Sequence, residues 1–301
     1  MRDFRFGCNV FSVGTRTEFV ATCREADAYG FDVVLVPDHL GSGAGKPSAT
    51  APFPALALAA ETGGRMRVGT FVLNIAYWNP YLLAREAATT DRLIGGRLEI
   101  GLGAGHLPGE AAEAGIAWAR FGDRLARLES AVERLRLLLE QDDRYAGAQR
   151  PRPPLLIAGT GDRILRLAAR RADIVAVAGA YPCPGGRPRL GTAREIDERV
   201  RFVTGQAGER AGGLELNLLV HEVIITGNRR SAAADLVAAH YPYYSVADAL
   251  DSPFLLIGTR KQIAEQILER RERYGFSYIA VHDCEMRSLG PVIGELGRAG
   301  R

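Results

Sequence analysis

The chain of 301 residues is 47% hydrophobic and 24% charged, enough apolar material for a large core that needs no disulfide or structural metal. Its net charge is only +3, and acidic and basic residues alternate, as in Arg194-Glu195 and Glu269-Arg270-Arg271-Glu272. That is the pattern of solvated helix faces and argues against a nucleic-acid track.

Phe6 to Phe11 reads as a first strand, and a helix opening at Thr17-Glu18 places Phe19, Cys23 and Ala26 on one face before Gly30 stops it. Phe31 to Val36 is a nearly continuous apolar run, as in a parallel strand buried on both faces, and it ends at Pro37-Asp38-His39. A Gly-, Ser- and Pro-rich stretch from Gly41 to Pro54 leads to a helix over Ala55 to Thr62, and Arg67 to Leu73 is strand three. Asn79-Pro80 supplies a cap and a first-turn proline for the next helix, which halts at Gly95-Gly96. Arg97 to Leu102 is strand four. The clearest helix follows, with Phe121, Leu125, Leu128, Val132, Leu135 and Leu139 on one stripe. Pro154 to Ala158, Asp173 to Ala178, Leu214 to Thr226 and Phe276 to His282 give strands five to eight.

This alternation predicts one α/β domain over residues 1–301, a (β/α)8 barrel, because a doubly wound sheet uses about six strands per domain. Two stretches break the repeat, 142–153 and 229–258. Each is expected to be a lid or a packing insertion.

In a barrel, chemistry collects just beyond the C-terminal strand ends. After strand two stand Asp38 and His39, and histidine can exchange a proton near neutral pH; a backbone-bonded loop histidine beside a capping aspartate fits the position equally well. After strand three, Asn74, Tyr77 and Trp78 place a polar group and two aromatics at the mouth, either as a pocket wall or as loop packing. Gly101-Leu102-Gly103-Ala104-Gly105-His106 after strand four lets backbone approach a ligand, and Gly159-Thr160-Gly161-Asp162 after strand five is a second such turn opening a helix. Neither matches a nucleotide-binding fingerprint.

The histidines form no metal-ligand spacing, so no metal is predicted, and covalent catalysis lacks a nucleophile with an evident base. Cys8, Cys23, Cys183 and Cys284 read as bland buried thiols in a cytoplasmic protein. No stretch has the length of a membrane span.

Taken in order, these segments resemble the bacterial-luciferase-like superfamily, and within it the branch that uses the deazaflavin coenzyme F420. The resemblance covers nearly the whole chain. It rests on Val36-Pro37-Asp38-His39, on Val68-Gly69-Thr70-Phe71-Val72, on the run from Asn79 to Thr89, and on Arg97 to His106. Leu156 to Gly161 and Leu256 to Gln266 add to it. The resemblance implies a luciferase-like TIM barrel with an insertion after strand seven, and a strand-three bulge with a cis peptide at Phe71-Val72. It also implies a cofactor held by Asp38, His39, Phe71, Val72, Asn74, Gly103, Ala104, Gly105, His106, Gly159, Thr160 and Gly161. Asp38 and His39 would be catalytic, with Tyr77 and Trp78 shaping the substrate pocket. One departure stands out: His106 occupies the place where the sugar-phosphate dehydrogenase branch carries a glutamate. The partner of His39 is therefore unassigned and the sugar-phosphate reaction is not carried over.

The implied activity is hydride transfer between F420 and a small organic substrate, a carbonyl, imine or activated alkene, with His39 as proton donor or acceptor. An FMN-dependent monooxygenase supplied by a separate flavin reductase is the alternative, and a non-catalytic flavin-binding protein the third. A small-molecule substrate is expected, a separate F420 or flavin reductase and a homodimer are compatible with the resemblance, and neither nucleic acid nor membrane is expected as a partner.

Overall fold

The computed structural model describes residues 3–41, 49–181 and 189–299. Eight parallel strands form its centre: β1 (Arg5–Asn9), β2 (Val33–Val36), β3 (Arg67–Thr70), β4 (Leu98–Gly103), β5 (Leu155–Gly159), β6 (Ile174–Val177), β7 (Glu215–Val220) and β8 (Phe276–His282). They run in the order β3-β2-β1-β8-β7-β6-β5-β4, and a β3–β4 pairing through Val68 and Gly69 closes the ring. The fold is a closed (β/α)8 barrel.

Around it lie α1 (Arg16–Tyr29), α2 (Pro52–Thr62), α3 (Pro80–Leu93), α4 (Pro108–Glu113), α5 (Phe121–Gln141) and α6 (Asp162–Arg171). α7 (Ala193–Ala207), α8 (Arg229–His240), α9 (Val246–Asp251), α10 (Arg260–Tyr274) and α11 (Met286–Ala299) follow. Local chemistry sets several boundaries. Thr15 and Glu18 form a capping box at the start of α1, and Gly30 ends the helix with φ 83°.

Alternation along each strand divides the core in two. Residues such as Phe6, Cys8, Val34, Val36, Ile279 and Val281 pack outward against the helices. Val33, Leu35, Leu156, Ile174, Ala176, Tyr278 and Ala280 fill the barrel itself. Its N-terminal end is plugged by charge. Arg5 donates to both carboxylate oxygens of Glu215 at 3.0 and 2.6 Å and to Glu99 at 2.6 Å, and Arg67 Nε donates to the same Glu99 oxygen at 2.6 Å. The Arg5 guanidinium lies 4.3 Å over the ring of buried Tyr278, a paired cation stacked on an aromatic face.

Three expectations change. The apolar run from Leu214 to Thr226 is not one strand: after His221 it leaves the barrel, and Glu222–Ile225 pairs in parallel with Leu255–Gly258. A continuous apolar run carries no mark of where one sheet hands over to another. The stretch 142–153 connects α5 to the amino end of β5, so it lies at the floor and cannot be a lid. It is a packing insertion, held by the Asp91 carboxylate, which accepts the Ala148 and Gln149 amides at 2.7 and 2.8 Å. Of the thiols, Cys8 and Cys23 are buried but Cys284 is exposed, because it follows β8 in the loop beyond the barrel; Cys183 lies outside the described residues.

Candidate active site

β2 delivers His39 to the barrel mouth, and the structure supplies the partner that sequence reasoning left open. Nδ1 of His39 lies 3.1 and 3.2 Å from the two carboxylate oxygens of Glu110, a residue of α4 that is only 2% exposed. Facing a carboxylate, Nδ1 is assigned as the donor, which leaves Nε2 as the ring's acceptor. Tyr77 Oη donates to the same carboxylate over a long 3.5 Å. His106 meets the His39 ring edge-on with centroids 5.4 Å apart. Desolvation of its ring, then the neighbouring His39, push the His106 pKa below the usual histidine value, although the residue as a whole is exposed.

Asp38 stands beside His39 in sequence but braces a different element. Its Oδ2 accepts the Trp78 indole N–H at 2.8 Å and the Asn74 amide at 3.1 Å. Burial raises its pKa, and these two donors oppose the rise. Trp78, expected as a pocket wall, donates into that brace and meets Phe53 edge-on at 5.5 Å. Asn74, expected to reach toward a cofactor, accepts the Ala76 amide through Oδ1 at 3.1 Å.

The strand-three bulge is present. β3 stops at Thr70, the Phe71-Val72 peptide is cis, and pairing with β4 resumes at Leu73-Asn74. The glycines of β4 make room for it: a Cβ on Gly101 would stand 2.1 Å from the Thr70 carbonyl oxygen, and one on Gly103 2.8 Å from Val72 Cγ2. Gly105 has φ +78° and would bring a Cβ within 2.5 Å of Asn74 Oδ1. These glycines therefore serve packing within the mouth first, with Ala104 offering its carbonyl to Arg124 at 3.3 Å. The second turn divides similarly. Gly159 admits Ile164, whose Cγ2 would lie 2.3 Å from a Cβ there, whereas Thr160 is half-buried and Gly161 is the exposed N-cap of α6.

Half-buried Phe71, Val72, Ala158 and Leu219 form an apolar floor over the barrel interior. Asn9, next in the inward series Arg5, Gly7, Asn9 at the end of β1, holds a buried Oδ1 that has no hydrogen-bond partner. An apolar floor, an unsatisfied acceptor and two glycine turns fit a flat heteroaromatic group with a polar tail. Phe11 stacks on His39 with centroids 5.1 Å apart and planes 22° apart, and meets His282 edge-on at 6.3 Å. His282 in turn meets His221 at 5.9 Å. Phe11, Glu110, His221 and His282 were not among the expected site residues; the two histidines carried one signal, a position two residues beyond an inward-facing strand residue. Among the described residues no group of three or more His, Cys, Asp and Glu side chains is arranged to hold a metal, and no helix is long and apolar enough to cross a membrane.

An imidazole on a buried carboxylate, set beside a cis-peptide bulge at the C-terminal end of a closed parallel barrel, defines a (β/α)8 barrel with its chemistry at the strand ends. The model of the luciferase-like monooxygenases matches residues 6–247, and the chain belongs to that family. It is 28% identical over 216 residues to an F420-dependent glucose-6-phosphate dehydrogenase from Segniliparus rotundus, covering 66% of this chain and 62% of that protein. It is 35% identical over 109 residues to 4-hydroxyprotoasukamycin monooxygenase from Streptomyces nodosus subsp. asukaensis, covering 36% and 29%. Both matches span less than two thirds of the relative's own length. An F420-dependent secondary alcohol dehydrogenase, solved with an F420-acetone adduct, shares the fold at 18% identity and a TM-score of 0.74, covering 98% of this chain and 99% of that one.

Proposed function

We propose that the protein is an oxidoreductase that moves a hydride between coenzyme F420 and a small organic substrate, a carbonyl, imine or activated alkene. The observation that carries this reading is the His39–Glu110 pair. Glu110 fixes the ring and its tautomer through Nδ1, leaving Nε2 turned to the proton transfer. Tyr77 steadies the carboxylate, and Asp38 acts through Trp78 and Asn74 to hold the loop that follows the bulge. Asp38 is thus a positioning residue in this reading, and His39 the proton donor or acceptor.

When bound, the deazaflavin supplies the carbon that carries the hydride. Phe71, Val72, Ala158 and Leu219 would lie under its ring, and Asn9 Oδ1 would accept a ring N–H. Backbone groups of Gly103 to His106, with Thr160 and Gly161 at the amino end of α6, would meet its polar tail. Residues 1–301 act as one barrel unit. The F420 dependence of the Segniliparus relative supports this cofactor.

A second reading, an FMN-dependent monooxygenase served by a separate reductase, is favoured by the Streptomyces relative. Titration with F420 and with FMN, followed by fluorescence quenching, separates the two: F420 is expected to bind more tightly, and tight binding of FMN alone refutes the first reading. His39→Ala is expected to keep cofactor affinity while turnover falls by about 100-fold or more. Unchanged turnover removes His39 from the chemistry.

A further inference from the structure

The two halves of the mouth are built differently. The ends of β4, β5 and β6 present small inward residues, Gly103, Ala158 and Ala176, with Val72 of the bulge packed on Gly103. The ends of β2, β8 and β7, with Phe11 from beyond β1, present rings in a continuous arc, His39, Phe11, His282 and His221, each 5.1 to 6.3 Å from the next. His39 therefore sits where the small-residue half meets the ringed half.

Resting on the hydride-transfer reading above, we infer that His221, with His282 beside it, is the substrate side of the mouth and selects an uncharged hydroxyl- or carbonyl-bearing substrate over a phosphorylated one. Position argues for it first. His221 continues the inward series Leu219, His221 of β7, and His282 continues Tyr278, Ala280, His282 of β8. The His221 backbone is pinned, its N–H donating to the Phe254 carbonyl at 2.8 Å, while its ring meets Phe254 edge-on at 6.0 Å.

Charge argues for it second. Burial, then His282, push the His221 pKa down to about 4, so at neutral pH the ring is an uncharged donor and acceptor. Several arginines on the elements after β4, β5 and β6 are already engaged. Arg189 pairs with Glu195, Arg199 with Asp162 and Arg163 with Glu129, and Arg124 donates to the carbonyls of Ala104 and Ala119. A phosphate brought against a neutral imidazole and apolar rings would lose water without gaining a counter-charge from these described groups, whereas one hydroxyl or carbonyl would be matched by one ring nitrogen.

The test compares wild type with His221→Phe, both loaded with F420, on propan-2-ol, cyclohexanol and glucose 6-phosphate. The alcohols are expected to be oxidised, with KM about tenfold or more higher in the variant, kcat changed less than about threefold, and cofactor affinity by fluorescence unchanged. In protein labelled with 15N-histidine, the His221 ring signals are expected to move with cyclohexanol and stay in place with glucose 6-phosphate. Preference for glucose 6-phosphate, or a KM indifferent to His221→Phe, overturns the inference. So does a wild type that binds F420 yet neither oxidises an alcohol nor shows the ring shift. Failure to bind F420 at all refutes instead the hydride-transfer reading beneath it.

Discussion

Replacing Gly105 by alanine tests how the bulge, the Gly-rich turn and the Asp38 brace are joined. Gly105 has φ +78°, where an L side chain costs about 1–2 kcal/mol. The new Cβ would stand 2.5 Å from Asn74 Oδ1 and 2.9 Å from both Cγ and Nδ2, so the carboxamide must move. Moving it breaks the acceptance of the Ala76 amide, worth about 1 kcal/mol. The sum is a loss of about 2–3 kcal/mol. Gly161→Ala is the control: its φ is −76° and nothing lies within 4 Å of the added Cβ, so its effect should stay within about 1 kcal/mol. Urea denaturation followed by far-ultraviolet circular dichroism measures both variants, and F420 titration reports whether the displaced loop also weakens the mouth. A Gly105→Ala protein as stable as wild type would refute the packing of Asn74 against this turn.

Two further predictions follow from the site. Glu110→Gln keeps the shape but removes the charge on the His39 hydrogen bond, a loss of about 1.5 kcal/mol, so kcat should fall about tenfold with cofactor affinity intact; kcat equal to wild type would separate Glu110 from the function of His39. His221 titrates at about 4 in the fold against 6.5 in the unfolded chain. Between those pH values the unfolded chain binds a proton that the fold refuses, so stability falls as pH drops from about 6.5 to about 4, by at most about 3 kcal/mol. Denaturation across that window should show a shallower loss for His221→Phe, and identical pH profiles would contradict the burial of the ring.

The barrel was legible because its signals are local. Val33 to Val36 is apolar on both faces as a parallel strand must be, and the cap at Asn79 and the stop at Gly30 mark helix ends within a few residues. The Phe71-Val72 bulge was legible through the order of motifs around it. What sequence could not show were contacts made across the barrel. Glu110 reaches His39 over 71 positions and rides on a six-residue helix too short to leave a periodic pattern. Trp78 and Asn74 are joined to Asp38 by contacts that exist only after folding. The packing of Val72 against Gly101 and Gly103, and of Ile164 against Gly159, is equally invisible in sequence, where a missing Cβ does not say what lies beside it.

The interlocked Arg5, Glu99, Glu215 and Arg67 at the opposite end of the barrel have a consequence for stability. Arg5 lies on β1, Arg67 on β3, Glu99 on β4 and Glu215 on β7, so one cluster ties together strands that are far apart in sequence. Losing either carboxylate would leave a largely buried cation without its partner, at the end of the barrel away from the candidate site.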